Sequence, residues 1–201
     1  MNTELKVQNL KQQLFNRNIK VPCFFYETID STNLEAFRLL ESHPHKCVIV
    51  ISKVQTAGRG THGRVWQDNH GQISLTIGFR ETVSPESLGF FRIQANQALR
   101  DKLESLWPQG WTLKAPNDIL WHGKKLSGLL IESKIEKGLT STWVIGYGIN
   151  VSGEKHLWTK EVQDLAITLQ DVVQTAIDYN VLAAELIESL LQAHEKQLRN
   201  Q

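Results

Sequence analysis

The chain has 201 residues, 41% of them hydrophobic, which is enough to bury the core of one ordinary globular domain. Lysine and arginine total 22 against 21 acidic residues, and the formal net charge of +1 argues against a dedicated nucleic-acid binder. No apolar run approaches the roughly 20 residues that cross a bilayer.

The N-terminal text MNTELKVQNLKQQLF lacks the apolar segment of a secretion signal. Cys23 and Cys47 lie far apart in the sequence and do not have the spacing of metal ligands. We therefore expect reduced structural thiols in a cytoplasmic protein, with a disulfide as the less favoured alternative.

The first predicted elements alternate between helix and strand. Apolar residues at helical spacing predict a helix over residues 5–14, and an aromatic run predicts a strand over residues 23–26. N-cap residue types at positions 30–32 precede the apolar positions of a second helix, residues 34–40.

A β-branched run predicts a buried strand over residues 48–54, and the glycines that follow end it. Apolar residues alternate with polar or small ones over residues 73–77, as in a strand with one buried face. Ser84 and Pro85 are typical of a helix start, and that helix should continue to Leu106.

Beyond Trp111 the sequence is rich in strand-forming residues, with turns predicted at residues 122–124 and 136–138. The apolar stripe over residues 182–191 predicts a last helix. These elements favour a single α+β domain over residues 1–201, with a mixed, mainly antiparallel sheet and packed helices.

Five polar, glycine-marked segments interrupt the apolar elements, and each lies where a loop or a strand end is predicted. Binding groups concentrate at such positions. The segments are residues 30–33 (DSTN), 55–66 (QTAGRGTHGRVW), 114–118 (KAPND), 124–128 (KKLSG) and 146–150 (GYGIN).

The segment 55–66 has the composition of an anion-binding loop. Gly58, Gly60 and Gly63 allow backbone N–H groups to approach a ligand closely, while Arg59 and Arg64 suit phosphate or carboxylate. In isolation such a loop is more often a solvated turn, and it lacks the G-K-[ST] ending of a Walker P-loop.

The other segments are ambiguous when taken singly. Lys125 opens an apolar strand and could direct its ammonium towards a phosphate, whereas Lys124 reads as a surface charge. Asn117, Asp118 and Asn150 each read first as turn residues. The seven histidines show no zinc spacing.

Taken together and in this order, the segments resemble the biotin–protein ligase family. The family pattern runs S-T-N, G-R-G-R-x-G-R-x-W, K-W-P-N-D, K-[LV]-[SAG]-G-[IL]-L-x-E and G-[IL]-G-[IL]-N. It corresponds here to residues 31–33, 58–66, 114–118, 125–132 and 146–150, and residues 167–170 (ITLQ) are also similar. Five ordered motifs are far more specific than any one of them.

The resemblance implies an α+β catalytic domain of the kind that biotin and lipoyl ligases share. It implies that biotin and ATP form biotinyl-5′-adenylate, which then acylates a lysine of the biotin carboxyl carrier protein of acetyl-CoA carboxylase. Mg²⁺ would be held through the ATP phosphates, with no dedicated protein cage. The resemblance leaves a homodimer open, and we expect no DNA-binding helix-turn-helix domain and no C-terminal SH3-like domain.

The resemblance also implies roles for particular residues. The catalytic residues would be Lys125, Arg59 and Asp118. Biotin would be bound by Ser31, Thr32, Asn33, Gln55, Arg59 and Lys125. ATP and the adenylate would be bound by Gly58, Gly60, Thr61, Arg64, Trp66, Asn117 and Asn150.

The departures from the family pattern for which we expect consequences are Thr61 and Ala115. Thr61 stands where the family has an arginine that helps retain the adenylate, so we expect looser retention and labelling of bystander lysines. Ala115 replaces a tryptophan, and the pocket wall there should be open or filled by Trp111 or Trp121. Two alternatives follow: a non-catalytic paralogue that sequesters biotin or its adenylate, and, less favoured, a lipoate or octanoate ligase.

Overall fold

The computed structural model describes residues 4–136 and 139–199, and within these residues seven strands form one sheet. The strands are β1 (Cys23–Ile29), β2 (Cys47–Gln55), β3 (Gln72–Phe79), β4 (Thr112–Lys114), β5 (Asp118–Trp121), β6 (Lys124–Glu136) and β7 (Leu139–Asn150). Their order is β1-β2-β3-β7-β6-β5-β4, with β1 and β2 parallel and the other neighbours antiparallel. This confirms the predicted mixed, mainly antiparallel sheet with packed helices.

The described helices are α1 (Val7–Asn16), α2 (Thr32–Ser42), α3 (Pro85–Leu106), α4 (Lys160–Leu165), α5 (Leu169–Val173) and α6 (Tyr179–Arg199). The predicted start of α3 is confirmed, since the Ser84 hydroxyl accepts a hydrogen bond from the Ser87 N–H at 3.2 Å. Helix α1 starts two residues later than predicted, because Leu5 packs in the core ahead of its first turn. The short helices α4 and α5 were not among the predicted elements.

The turn between β5 and β6 is confirmed at His122 and Gly123, which both have positive φ, at 46° and 79°. Of the second predicted turn, residues 137 and 138 lie outside the described residues. None of the helices in the described ranges is long and apolar enough to span a membrane. The organisation of residues 1–201 as one catalytic domain stays a prediction.

Apolar residues alternate with small or polar residues along the central strand β3, so the two faces of the sheet differ in polarity. Ile73, Leu75 and Ile77 belong to the main core, together with buried residues of α3 and α6. The intervening Ser74 and Thr76 therefore lie on the opposite face, where α2 packs. This second face carries small and polar residues at its centre.

The strand pairing extends this surface of small and polar residues from β3 across β7 to β6. Ser74 pairs with Gly148 of β7, and Gly148 pairs with Gly128 of β6. Thr76 pairs with Gly146 in the neighbouring row. Glycines of two separate sequence motifs are therefore neighbours in the sheet. Because they have no side chains, other groups can pack directly on the backbone of Gly128, Gly146 and Gly148, which we call the glycine floor.

Candidate active site

A cavity of about 410 Å³ opens above this glycine floor. Its lining comes from the start of α2, the loop 55–66, the turn before β5, the strands β6 and β7, and the segment 158–166 around α4. Groups far apart in the sequence therefore share one concave surface, which is the usual form of a small-molecule site.

One end of the cavity is built from fixed amide and hydroxyl groups. The Gln55 side-chain oxygen accepts hydrogen bonds from the Thr32 N–H at 2.8 Å and from the Thr32 hydroxyl at 3.0 Å. The Gln55 amide nitrogen donates to Ser74 Oγ at 3.2 Å. Its second N–H has no acceptor among the described residues and is available to a ligand.

Ser31 and Asn33 complete this polar end. Ser31 is the residue before α2, and within the described chain its hydroxyl makes no capping hydrogen bond. Both Ser31 and Asn33 line the cavity although little of either is exposed. The Asn33 amide oxygen lies 2.7 Å from the Thr76 hydroxyl, and this contact fixes the side chain over the sheet.

Trp66 forms a flat apolar wall directly on the floor. An added methyl group at Gly148 would lie only 2.6 Å from Trp66 Cε2, so the close packing requires glycine there. The indole N–H donates to the Gln72 side-chain oxygen at 2.8 Å, which fixes the orientation of the ring. The Lys125 ammonium lies 5.4 Å from the ring centroid, within cation–π range.

Lys125 is held by residues of β5, of β7 and of the turn before β5. Its ammonium lies 2.8 Å from the Asp118 carboxylate, and the Asn117 amide donates to the same oxygen at 3.0 Å. The Asn150 amide donates to the Lys125 carbonyl at 3.4 Å and to the Ile167 carbonyl at 3.3 Å. A lysine fixed at both its backbone and its ammonium is preorganised to face an anion.

The two arginines of the loop 55–66 also line the cavity and have separate partners. Arg59 pairs with Glu132 of β6 at 2.8 Å. Arg64 folds back on its own loop and donates to the Thr61 hydroxyl at 2.7 Å. Thr61 therefore holds the Arg64 guanidinium in place.

The structure brings most of the predicted site residues together. Those that line the cavity are Ser31, Asn33, Gln55, Arg59, Gly60, Thr61, Arg64, Trp66, Asn117, Lys125 and Asn150. Three others lie directly behind lining residues. Thr32 bonds to Gln55, Asp118 bonds to Lys125, and Gly58 packs against the backbone of Trp66.

Of the two alternatives expected for the wall beside Ala115, filling by Trp111 or Trp121 is not seen, which leaves the open wall. Trp111 is buried in the main core and donates to the Trp107 carbonyl at 2.8 Å, while Trp121 packs against that core and edge-on to His122. Neither is among the described residues that line the cavity, and Ala115 is exposed in its turn.

Sequence reasoning missed the wall that closes the site from the C-terminal side. This wall comprises Trp158, Thr159, Glu161, Val162, Leu165 and Ala166. Gln67 attaches it to the loop, because its amide donates to Thr159 Oγ1 at 3.2 Å and accepts from the Thr159 N–H at 2.9 Å. The nearest signal in the sequence was the capping box of α5, which follows the wall directly and in which Thr168 and Asp171 bond reciprocally.

The arrangement suits a ligand with a polar head, an apolar middle and an anionic end. The fixed amides can bind the head, Trp66 can cover the middle, and Lys125 with Arg64 can neutralise anions. Within the described residues, histidine, cysteine, aspartate and glutamate form no group of three that could hold a metal ion.

Sequence comparison identifies relatives of the chain over most of its length. The bifunctional ligase/repressor BirA of Bacillus subtilis is 28% identical over 177 residues, which cover 88% of this chain and 53% of that protein. The biotin–[acetyl-CoA-carboxylase] ligase of Mycobacterium tuberculosis is 35% identical over 148 residues, which cover 71% and 52% respectively. The chain thus spans about half the length of the curated relatives it matches.

Solved structures show the same fold. The biotin protein ligase from Aquifex aeolicus in complex with biotin and ATP has a TM-score of 0.68 at 25% identity, covering 87% of this chain and 71% of that chain. The biotin protein ligase of Leishmania major in complex with biotinyl-5-AMP has a TM-score of 0.72 at 22% identity, a likeness in fold.

The sequence model of the biotin/lipoate A/B protein ligase family matches residues 25–150, which are more than half of the 201 residues and include all five motifs. The chain therefore belongs to the biotin/lipoate A/B protein ligase family.

Proposed function

We propose that this chain is an ATP-dependent biotin–protein ligase. It forms biotinyl-5′-adenylate from biotin and ATP and then transfers biotin to a specific lysine of the biotin carboxyl carrier protein of acetyl-CoA carboxylase. The observation that carries this proposal is a single cavity with fixed amide donors at one end and the Lys125 ammonium beside Trp66. A cytoplasmic location belongs to the same proposal, because the reaction needs ATP.

Biotin binding is assigned to the polar end of the cavity. Trp66 was expected to contact the adenylate, and it is assigned to biotin as well because it packs on Gly148, which pairs with Ser74 at the polar end. The ureido ring needs both donors and acceptors, and Ser31, Asn33 and Gln55 offer them without having to reorganise. An unsatisfied buried atom of that ring would cost about 1–3 kcal/mol. Arg59, held above this end, would cover the ring.

In the first step, a carboxylate oxygen of biotin attacks the α-phosphorus of ATP while the bond to pyrophosphate breaks. Two anions approach each other, and the Lys125 ammonium reduces their repulsion in the transition state. Asp118 orients that ammonium through its 2.8 Å ion pair. Asn117, Asn150 and Arg64 would hold the triphosphate and its Mg²⁺, which supplies further charge neutralisation.

In the second step, the amine of the carrier lysine attacks the acyl carbon, AMP leaves and the amine loses a proton. Asp118 is the carboxylate proposed to steer that amine or to accept its proton. Because Asp118 also pairs with Lys125, its two roles depend on one another.

The test is isotope exchange between pyrophosphate and ATP in the presence of biotin, lipoate or octanoate. We expect exchange that depends on biotin, with none supported by the other two acids. Exchange with lipoate or octanoate alone would instead establish a lipoyl-type ligase. Biotin binding by calorimetry without any exchange would favour the sequestering paralogue.

A further inference from the structure

Glu132 is the last residue of the motif 125–132 and was assigned no role above, yet it connects strand β6 with the loop 55–66 and with helix α2. One of its carboxylate oxygens lies 2.8 Å from Arg59 in the loop 55–66. The other accepts a hydrogen bond from the Asn33 amide of α2 at 2.8 Å. A single side chain of β6 therefore joins a loop and a helix that both line the cavity.

The chemistry of these contacts requires a carboxylate. Both partners are donors, and an ionised glutamate is the side chain of this length that accepts with both of its oxygens. Its charge strengthens both hydrogen bonds, and the bond to Arg59 is also an ion pair. A glutamine in the same place could accept with its oxygen but would present its N–H₂ group to the other donor.

The contact also decides which way the Asn33 amide faces. With its nitrogen towards Glu132, the amide directs its oxygen to the Thr76 hydroxyl, 2.7 Å away. The amide packs so closely over Gly146 that a methyl group there would collide with it. Glu132 and Thr76 together leave Asn33 one orientation in which both ends are satisfied.

We propose that Glu132 is a positioning residue that sets the affinity for biotin. It holds Arg59 above the polar end of the cavity and fixes the orientation of Asn33 before the ligand arrives, so neither group has to be ordered on binding. Glu132 is not among the described residues that line the cavity and does not touch the reacting atoms. The inference rests on the proposed function, since biotin is the ligand whose affinity it sets.

A second ion pair provides a matched control. Lys134 of β6 pairs with Glu41 of α2, so it joins the same two elements as Glu132 and Asn33. Both side chains are about half exposed, and neither is among the described residues that line the cavity. Glu41→Gln therefore removes a carboxylate from the same helix–strand contact without affecting the site.

The experiment measures KM and kcat for biotin in the pyrophosphate exchange assay, together with the biotin Kd by calorimetry. Glu132→Gln should raise KM and Kd about tenfold while kcat at saturating biotin stays within about twofold. Glu41→Gln should change neither constant by more than about twofold. Glu132→Asp, which keeps the charge, should recover part of the affinity.

A double-mutant cycle with Arg59→Gln tests whether Glu132 changes the affinity for biotin through its contact with Arg59. If Glu132 acts through Arg59, its substitution should cost less than about threefold in Kd once Arg59 is absent. Equal costs in both backgrounds, a fall in kcat at unchanged KM, or behaviour identical to Glu41→Gln would each overturn the inference. Absence of biotin-dependent exchange in the wild-type protein would instead overturn the proposed function, and the inference with it.

Discussion

A single methyl group at Gly148 tests how tightly the floor of the cavity is built. The added carbon would stand 2.6 Å from Cε2 and 2.7 Å from Cζ2 of Trp66, whereas carbon atoms in ordinary contact are about 3.5–4.0 Å apart. The indole must therefore move by about 1 Å. The backbone cannot yield instead, because Gly148 is paired on both sides, with Ser74 and Gly128.

The cost of Gly148→Ala follows from these distances. Overpacking of this kind destabilises a protein by about 1–3 kcal/mol. A 1 Å shift would also stretch the 2.8 Å bond from Trp66 to Gln72 beyond hydrogen-bonding range, and that bond contributes about 0.5–1.5 kcal/mol. Together these losses amount to about 1.5–4.5 kcal/mol. For a chain of this length we therefore expect Tm to fall by roughly 3–18 °C. Because Trp66 lines the cavity, the Kd for biotin should also rise about tenfold or more.

Thermal unfolding followed by circular dichroism, with calorimetry for biotin, measures both effects. Gly89→Ala is the matched control, because among the described residues a methyl group at Gly89 of α3 would have no atom within 4 Å beyond its chain neighbours and the backbone of its own helix. This variant should gain about 0.5–1 kcal/mol from helix propensity and should bind biotin normally. A Tm of Gly148→Ala within about 1 °C of the wild-type Tm, together with an unchanged Kd for biotin, would refute the packing of Trp66 on the floor.

Three further predictions concern other parts of the molecule. Thr61→Arg should reduce labelling of a bystander protein, and equal labelling by the wild type and the variant would contradict the expected loose retention of the adenylate. Asp118→Asn should slow pyrophosphate exchange as well as carrier transfer, by roughly tenfold or more, because Asp118 orients Lys125; a loss confined to transfer would reject that role. Burial raises the pKa of Cys23 to about 11 and of Cys47 to about 12, so both thiols should resist iodoacetamide at pH 8 in the native protein but react in urea. The unfolded thiols ionise near 9.0, so the free energy of unfolding should decrease as pH rises from that value; a flat profile would contradict the burial.

The sequence was sufficient to predict the longer helices, the central strands and the order of the motifs. Alternation over residues 73–77 indicated a strand with one buried face, and the structure confirms that Ile73, Leu75 and Ile77 enter the core. The motif residues Lys125 and Asn150 lie at a strand start and a strand end, as predicted. These features depend on local periodicity and turn chemistry, which a sequence displays directly.

The remaining features depend on register between distant strands. That Gly128 lies opposite Gly148, and that Glu132 reaches both Arg59 and Asn33, follows from pairings that local patterns do not specify. The short helix α4 escaped prediction because six residues are too few to show a helical period. The sequence left open whether Trp111 or Trp121 fills the wall beside Ala115 for a related reason, since sequence proximity does not tell whether a side chain turns towards the core or the site.

The most direct test of the central claim uses biotin, Mg²⁺-ATP and a biotin carboxyl carrier domain, and it follows pyrophosphate release together with the mass of the carrier. The control is Lys125→Ala, which removes the ammonium that lies between Asp118 and Trp66. We predict pyrophosphate release and a biotin-sized increase in carrier mass, with both lost in the variant. Pyrophosphate release without a change in carrier mass, or biotin binding with neither product, would contradict the assignment as a biotin–protein ligase.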